Sequence, residues 1–176
     1  MGGNPEVVPG LAAMKLNGKA NWPYTGELTA AAIAKWAKGV VDGSVAPHLK
    51  SEPIPAETGA GKVKVVVGKS FNDVVINRGN KDVMLEIYAP WCGHCKTLAP
   101  IYDELAAAYA DKPSIVIAKI DGTANDFDVE YRGFPTLVFF PANGEQMPYE
   151  GGRTLDDIKT FIDQNAKSVE GSHDEL

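Results

Sequence analysis

Two cysteines three positions apart, Cys92 and Cys95, carry the chemistry that this sequence advertises. They lie in Tyr88-Ala89-Pro90-Trp91-Cys92-Gly93-His94-Cys95-Lys96, between a run of strand-forming residues and a stretch with helical spacing. A cysteine at the front of a helix faces unpaired backbone N–H groups and the positive end of the helix dipole. Both favour a thiolate, so Cys92 is expected to be a nucleophile near neutral pH. Cys95 falls one turn further on. It can close a disulfide with Cys92 or attack a mixed disulfide and release its partner. Gly93 is read as keeping the bridge compact, and His94 as placing an imidazole beside the sulfur.

Two plainer readings compete. Such a pair can be half of a zinc site, but zinc takes about four ligands. Only His48, His94 and His173 remain as partners of that kind, and His48 and His173 lie far along the chain. The pair can also be a static bridge, although closing so small a loop adds little stability. No metal and no organic cofactor is expected, because thiol–disulfide exchange proceeds between sulfur atoms alone.

Other positions could support the sulfurs. Glu86 interrupts the apolar run 83–88, where burial is expected to raise its pKa and suit it to take a proton from Cys95. Lys119 interrupts 115–120 in a similar way. Strand alternation alone also allows both to face solvent. Gly133-Phe134-Pro135-Thr136 precedes another strand, where Pro135 could be an ordinary trans proline opening it. Trp91 offers an apolar surface beside the first cysteine.

The chain that must position these residues has 176 residues, 44% apolar and 23% charged, with a net charge of −6. It can build a packed core. The acidic balance speaks against a phosphate grip on nucleic acid, and no run approaches the roughly 20 apolar residues of a membrane span. Residues 62–167 alternate strand and helix. Strands are expected at 63–67, 83–88, 115–120, 136–140 and near 147–149, the last two joined by the turn Pro141-Ala142-Asn143-Gly144. Helices are expected behind Ser70, at 92–110 with a kink at Pro100, as a short turn at 125–131, and finally behind Thr154 with Asp157. The fold class is therefore α/β, with a mixed central sheet of parallel strands plus a C-terminal antiparallel hairpin, flanked by helices. Residues 51–61 read as linker and 168–176 as a polar tail. Residues 1–50 hold one helix capped by Thr29, with Ile33, Trp36, Ala37 and Val40 on one face, and short apolar patches at 7–8 and 11–14. Such a set cannot bury its own apolar faces, so it reads as the end of a domain whose beginning is absent.

Ala89-Pro90-Trp91-Cys92-Gly93-His94-Cys95-Lys96 on a strand-to-helix turn resembles the active site of the protein disulfide isomerases, a thioredoxin-fold family. The resemblance covers 62–167 and extends through Pro47-His48-Leu49-Lys50-Ser51-Glu52-Pro53-Ile54-Pro55, a segment similar to the junction between that family's third and fourth thioredoxin-like domains. It implies a thioredoxin fold over 62–167, preceded in 1–50 by a partial, noncatalytic thioredoxin-like domain. It also implies a cis Phe134–Pro135 bond facing the cysteines, a buried Glu86–Lys119 pair, and an Arg132 that swings toward the site and modulates Cys95. Trp91, Phe134 and Pro135 would then meet substrate.

The final residues His173-Asp174-Glu175-Leu176 match a retrieval signal of the endoplasmic reticulum. Together with the absence of a secretory leader, they suggest a C-terminal piece of a longer secretory protein, with Met1-Gly2-Gly3 an added start. The expected activity is formation, reduction and rearrangement of disulfides in the reticulum lumen. The implied partners are unfolded or misfolded secretory proteins, an upstream oxidase and the retrieval receptor, with neither nucleic acid nor membrane insertion. The alternatives are a peptide-binding, chaperone-like fragment with secondary redox activity, and a cytosolic thioredoxin-like reductant. Gly93-His94 between the cysteines speaks against the second.

Overall fold

A computed structural model describes residues 10–14, 21–56 and 59–168. The apolar patch at 7–8 and the motif at 173–176 lie outside the described residues. Contacts divide the chain into two compact units, Met1–Leu49 and Lys50–Leu176.

In the first unit, β1 (Leu11–Met14) pairs antiparallel with β2 (Asn21–Tyr24). Helix α1 (Ala30–Asp42) starts where the Thr29 side chain accepts the Ala32 N–H, and stops at Gly43, whose φ of 79° a larger residue seldom adopts. Trp36 packs on Tyr24 with ring centroids 5.1 Å apart, and the Trp22 indole N–H donates to the Val45 carbonyl. Ala37, expected on the packed face, is exposed. Every apolar side chain described as buried belongs to the second unit.

The second unit is built on a five-stranded sheet: β3 (Lys64–Val65), β4 (Asp82–Tyr88), β5 (Ile115–Asp121), β6 (Thr136–Phe140) and β7 (Met147–Tyr149). Their spatial order is β3-β5-β4-β6-β7. β3, β5 and β4 run parallel, β6 runs antiparallel to β4, and β7 runs antiparallel to β6. Strand alternation sends side chains to two cores. Met84, Ile117, Leu137 and Phe139 pack under α3 (Gly93–Ala108) and α4 (Leu155–Asn165), against Leu98, Tyr102, Leu105, Ile158 and Ile162. Val83, Leu85, Ile87, Ala118, Ile120, Val138 and Phe140 pack on the other side, against Phe71 and Val75. Those two residues come from α2 (Gly68–Phe71) and the π-helical turn that continues it through Ile76. Thr154 and Asp157 cap α4 reciprocally, as their spacing suggests. Pro100 sits exposed inside α3, which runs on for eight residues beyond it.

Two local expectations are corrected. Ser70 does not precede the short helix but lies inside it, its hydroxyl accepting the Val67 N–H at 3.1 Å. The helical turn expected at 125–131 is absent. There the Asn125 side-chain oxygen accepts the N–H groups of Gly68 and Glu52, and the Asp126 N–H donates to the Lys50 carbonyl. These long-range bonds commit groups that a helix needs. The first residues of the 51–61 segment share in these bonds, the Glu52 N–H donating to Asn125 and the Ser51 hydroxyl accepting the Lys69 N–H. Gly68 permits this clasp, since a Cβ there would stand 2.8 Å from the Lys50 carbonyl oxygen and 2.9 Å from that of Asp126.

Candidate active site

The end of β4, the start of α3 and the loop before β6 meet at the cysteines. β4 is buried along nearly its whole length, which fixes where Tyr88 and Ala89 emerge. The Cys92 N–H then donates to the Ala89 carbonyl at 3.0 Å, closing the turn into α3. Cys92 is the N-cap residue of that helix. Its Sγ accepts the Cys95 N–H at 3.2 Å, and its carbonyl accepts the Lys96 N–H. Cys92 and Cys95 are joined by a disulfide, with Cα atoms 5.3 Å apart. The two cysteines are only 6% and 5% exposed, so the pair presents one edge rather than an open face. A backbone donor is already aimed at Cys92 Sγ, where a thiolate's charge would sit.

Around the pair lie Ala89, Tyr88 and Phe134. Phe134 meets Trp91 edge to face at 5.7 Å and Tyr131 at 5.5 Å. Trp91 is 71% exposed, large for an indole, and so offers apolar surface beside the sulfurs. The Phe134–Pro135 bond is cis, as the resemblance implies. Pro135 is buried, and the Thr136 hydroxyl ties the loop by donating to the Gly133 carbonyl at 2.7 Å. His94 is exposed. Gly93 is not demanded by packing, because a Cβ there would meet no atom within 4 Å.

Glu86 faces inward. It shares the strand parity of Met84, on the side covered by α3, and is 3% exposed. Its register partners are Lys119 on β5 and Leu137 on β6. Its Oε1 has no hydrogen-bond partner. Burial pushes its carboxyl up from 4.5 to about 7, against the pull of Lys119 and Arg153, with Asp103 adding to the rise. The Lys119 ammonium lies 5.8 Å from the centre of the Tyr88 ring. Arg132 is exposed on the loop leading to Gly133, and among the described residues its guanidinium makes no hydrogen bond or ion pair. The structure thus gathers Cys92, Cys95, Trp91, Phe134 and Pro135 at one end of the sheet, and sets Glu86 beside Lys119 within it. It leaves Arg132 at the surface. Among the described residues, no three His, Cys, Asp or Glu side chains form a group suited to a metal ion.

Two polar residues outside the sequence reading hold this frame. Asp82, fully buried, accepts the N–H groups of Ala142, Lys167 and Ser168. Asn125, also buried, ties the segment after Leu49 to the loop beyond β5. Most of their partners are distant in sequence, so no local pattern marks them.

Residues 62–164 match the family described as Thioredoxin. The chain belongs to the thioredoxin family. It is 52% identical over 140 residues to protein disulfide isomerase-like 1-1 of Arabidopsis thaliana, covering 78% of this chain and 28% of that one. It is 48% identical over 170 residues to protein disulfide-isomerase of Aspergillus niger, covering 92% of this chain and 33% of the relative. The chain therefore spans about a third or less of the length of these relatives. Among solved structures, the first thioredoxin domain of mouse protein disulfide-isomerase A4 superposes with a TM-score of 0.54 at 31% identity. That match covers 71% of this chain and 89% of that domain. The thioredoxin-family unit holds the described cysteine pair at the helix start, and the alignment with the fungal relative reaches well beyond that unit.

Proposed function

We propose that this chain is the catalytic part of a thiol–disulfide oxidoreductase and isomerase. The observation that carries it is the Cys92–Cys95 disulfide at the front of α3, with the Cys95 N–H directed at Cys92 Sγ. When oxidised, the pair gives its disulfide away. A substrate thiolate attacks Cys92 Sγ, the bond to Cys95 breaks, and Cys95 leaves as a thiolate that takes up a proton. A second substrate thiolate then attacks the substrate sulfur of the mixed disulfide and expels Cys92 as a thiolate. The substrate loses two electrons and the cysteine pair gains them. When reduced, Cys92 attacks a non-native disulfide. The mixed disulfide either rearranges within the substrate, with no net redox change, or is resolved by Cys95.

Glu86 is the group proposed to take the Cys95 proton when Cys95 attacks, with Lys119 adjusting its charge. A carboxyl titrating near 7 suits that exchange at neutral pH. His94 lends an exposed imidazole beside the thiolate, and Arg132 a mobile cation from the neighbouring loop. Trp91, Phe134 and Pro135 supply the surface that an unfolded chain meets. The motif at 173–176 supports residence in the lumen of the endoplasmic reticulum through its retrieval receptor, with secretory chains as substrates and an oxidase restoring the disulfide. Residues 1–50 fit the end of a preceding noncatalytic thioredoxin-like domain, since that unit buries no described apolar side chain.

Insulin reduction and refolding of scrambled ribonuclease test the reading. Cys92→Ser is expected to abolish both activities. Undiminished turnover in that variant would sink the reading of Cys92 as the attacking sulfur.

A further inference from the structure

On the face of the sheet that carries Glu86, the β4–β5 ladder sets Met84 beside Ile117, Glu86 beside Lys119 and Tyr88 beside Asp121. Two polar rows therefore follow one another at the end of an apolar face. The Lys119 ammonium has two attractive places within reach: the carboxylate in its own row and the phenol ring in the next. It lies over the ring, 5.8 Å from the centroid, while Glu86 Oε1 keeps no partner. That distance is within the range where a ring quadrupole attracts a cation. The ring itself is part-buried against the cysteine cluster, which limits its freedom to move away.

We propose that Tyr88 is a positioning residue for the site: its ring holds the Lys119 ammonium away from Glu86 Oε1, so the carboxyl keeps the capacity to bind and release a proton. This rests on Glu86 as the proton acceptor described above. Lys119 is the cation that decides the balance. The other charges acting on Glu86 are the exposed Asp103 on α3 and the exposed Arg153 ahead of α4, and the buried Tyr102 phenol on α3 is tied to the Met84 carbonyl. β6 contributes only the apolar Leu137 in register with Glu86. With the ring removed, the strongest remaining attraction for the ammonium is the unpartnered carboxylate oxygen, and an ion pair there favours the ionised form.

The experiment is a carbon-13 carboxyl titration of Glu86 in the oxidised protein. It compares wild type, Tyr88→Leu, Tyr88→Phe, Lys119→Met and the double variant Tyr88→Leu with Lys119→Met. Tyr88→Leu is expected to lower the Glu86 midpoint by about one pH unit. Tyr88→Phe, which keeps the ring, should leave it in place. In the Lys119→Met background, removing the ring should produce no fall. An unchanged midpoint in Tyr88→Leu overturns the proposal, and so does an equal fall in the Lys119→Met background, which would reflect water entry instead. Wild type alone gives an independent reading, because the Lys119 ε-protons must show an upfield ring-current shift. Its absence also overturns the proposal. Failure of the proton-acceptor reading appears elsewhere: Glu86→Gln would leave mixed-disulfide release unchanged while these titrations behave as described.

Discussion

Glu86 and Lys119 stand opposite one another on neighbouring parallel strands, yet the carboxylate's Oε1 is left without a hydrogen-bond partner. A buried acid with an opposite charge in its own row would ordinarily be drawn into a tight pair. Here burial outweighs the attraction, and the carboxyl titrates at about 7. The cost of holding it there falls on the folded state.

The first consequence is thermodynamic. Between pH 4.5 and about 7 the folded state keeps a proton on Glu86 that the unfolded chain has released, so stability falls as pH rises through that window. A shift of this size corresponds to roughly 3 kcal/mol at most. Glu86→Gln should therefore stabilise the protein at pH 8 and change it little at pH 4. Urea unfolding of both proteins at the two values checks this. A variant equally stabilised at both would contradict it.

The second consequence is kinetic. In single-turnover release of a mixed disulfide, the wild-type rate should rise with pH through about 7 as Glu86 becomes able to accept the Cys95 proton. Glu86→Gln should be slower at neutral pH by about a hundredfold, in the usual range for a positioned base, and should lose that inflection. Trapping with Cys95→Ser supplies the fully blocked reference.

Asp82 makes the opposite prediction. Burial alone would raise its carboxyl, but hydrogen bonds from Ser168, Lys167 and Ala142 outweigh that and hold it below the ordinary value. Its contribution is present at neutral pH and is lost as pH falls below the usual carboxylate range. Asp82→Ala should cost about 3 kcal/mol at pH 7, since three N–H donors lose their acceptor. The difference from wild type should shrink in acid. Chemical denaturation across pH 2–7 measures it.

Asn125→Ala should loosen the segment after Leu49. The Gly68 N–H is left buried without an acceptor, at a cost of about 2 kcal/mol, and Glu52 loses both of its bonds to Asn125. Limited proteolysis is expected to cut within 50–61 faster than in wild type, with disulfide exchange at Cys92 retained. Equal cleavage rates would show that the clasp contributes nothing.

Most of the second unit was legible because its determinants are local. Alternation along 136–140, the cap at Thr154 with Asp157 and the cysteine spacing each act within a few residues. Glu86 was visible as an acid in an apolar run, but not the face it took, since that depends on its register with Lys119 and Leu137. The segment 125–131 was misread as a helical turn because its hydrogen bonds go to residues 57 and 73 positions away. Asp82 escaped for the same reason: at the start of a strand, an acid whose partners are Ala142, Lys167 and Ser168 looks like ordinary surface.

The two margins of the sheet are both poor templates. β3 contributes only two residues at one side, and β7 at the other contains Pro148, which has no N–H to give. A neighbouring polypeptide therefore finds little to zip onto at either flank. The sheet therefore ends on both sides in strands too short or too interrupted for one copy to extend the ladder of another.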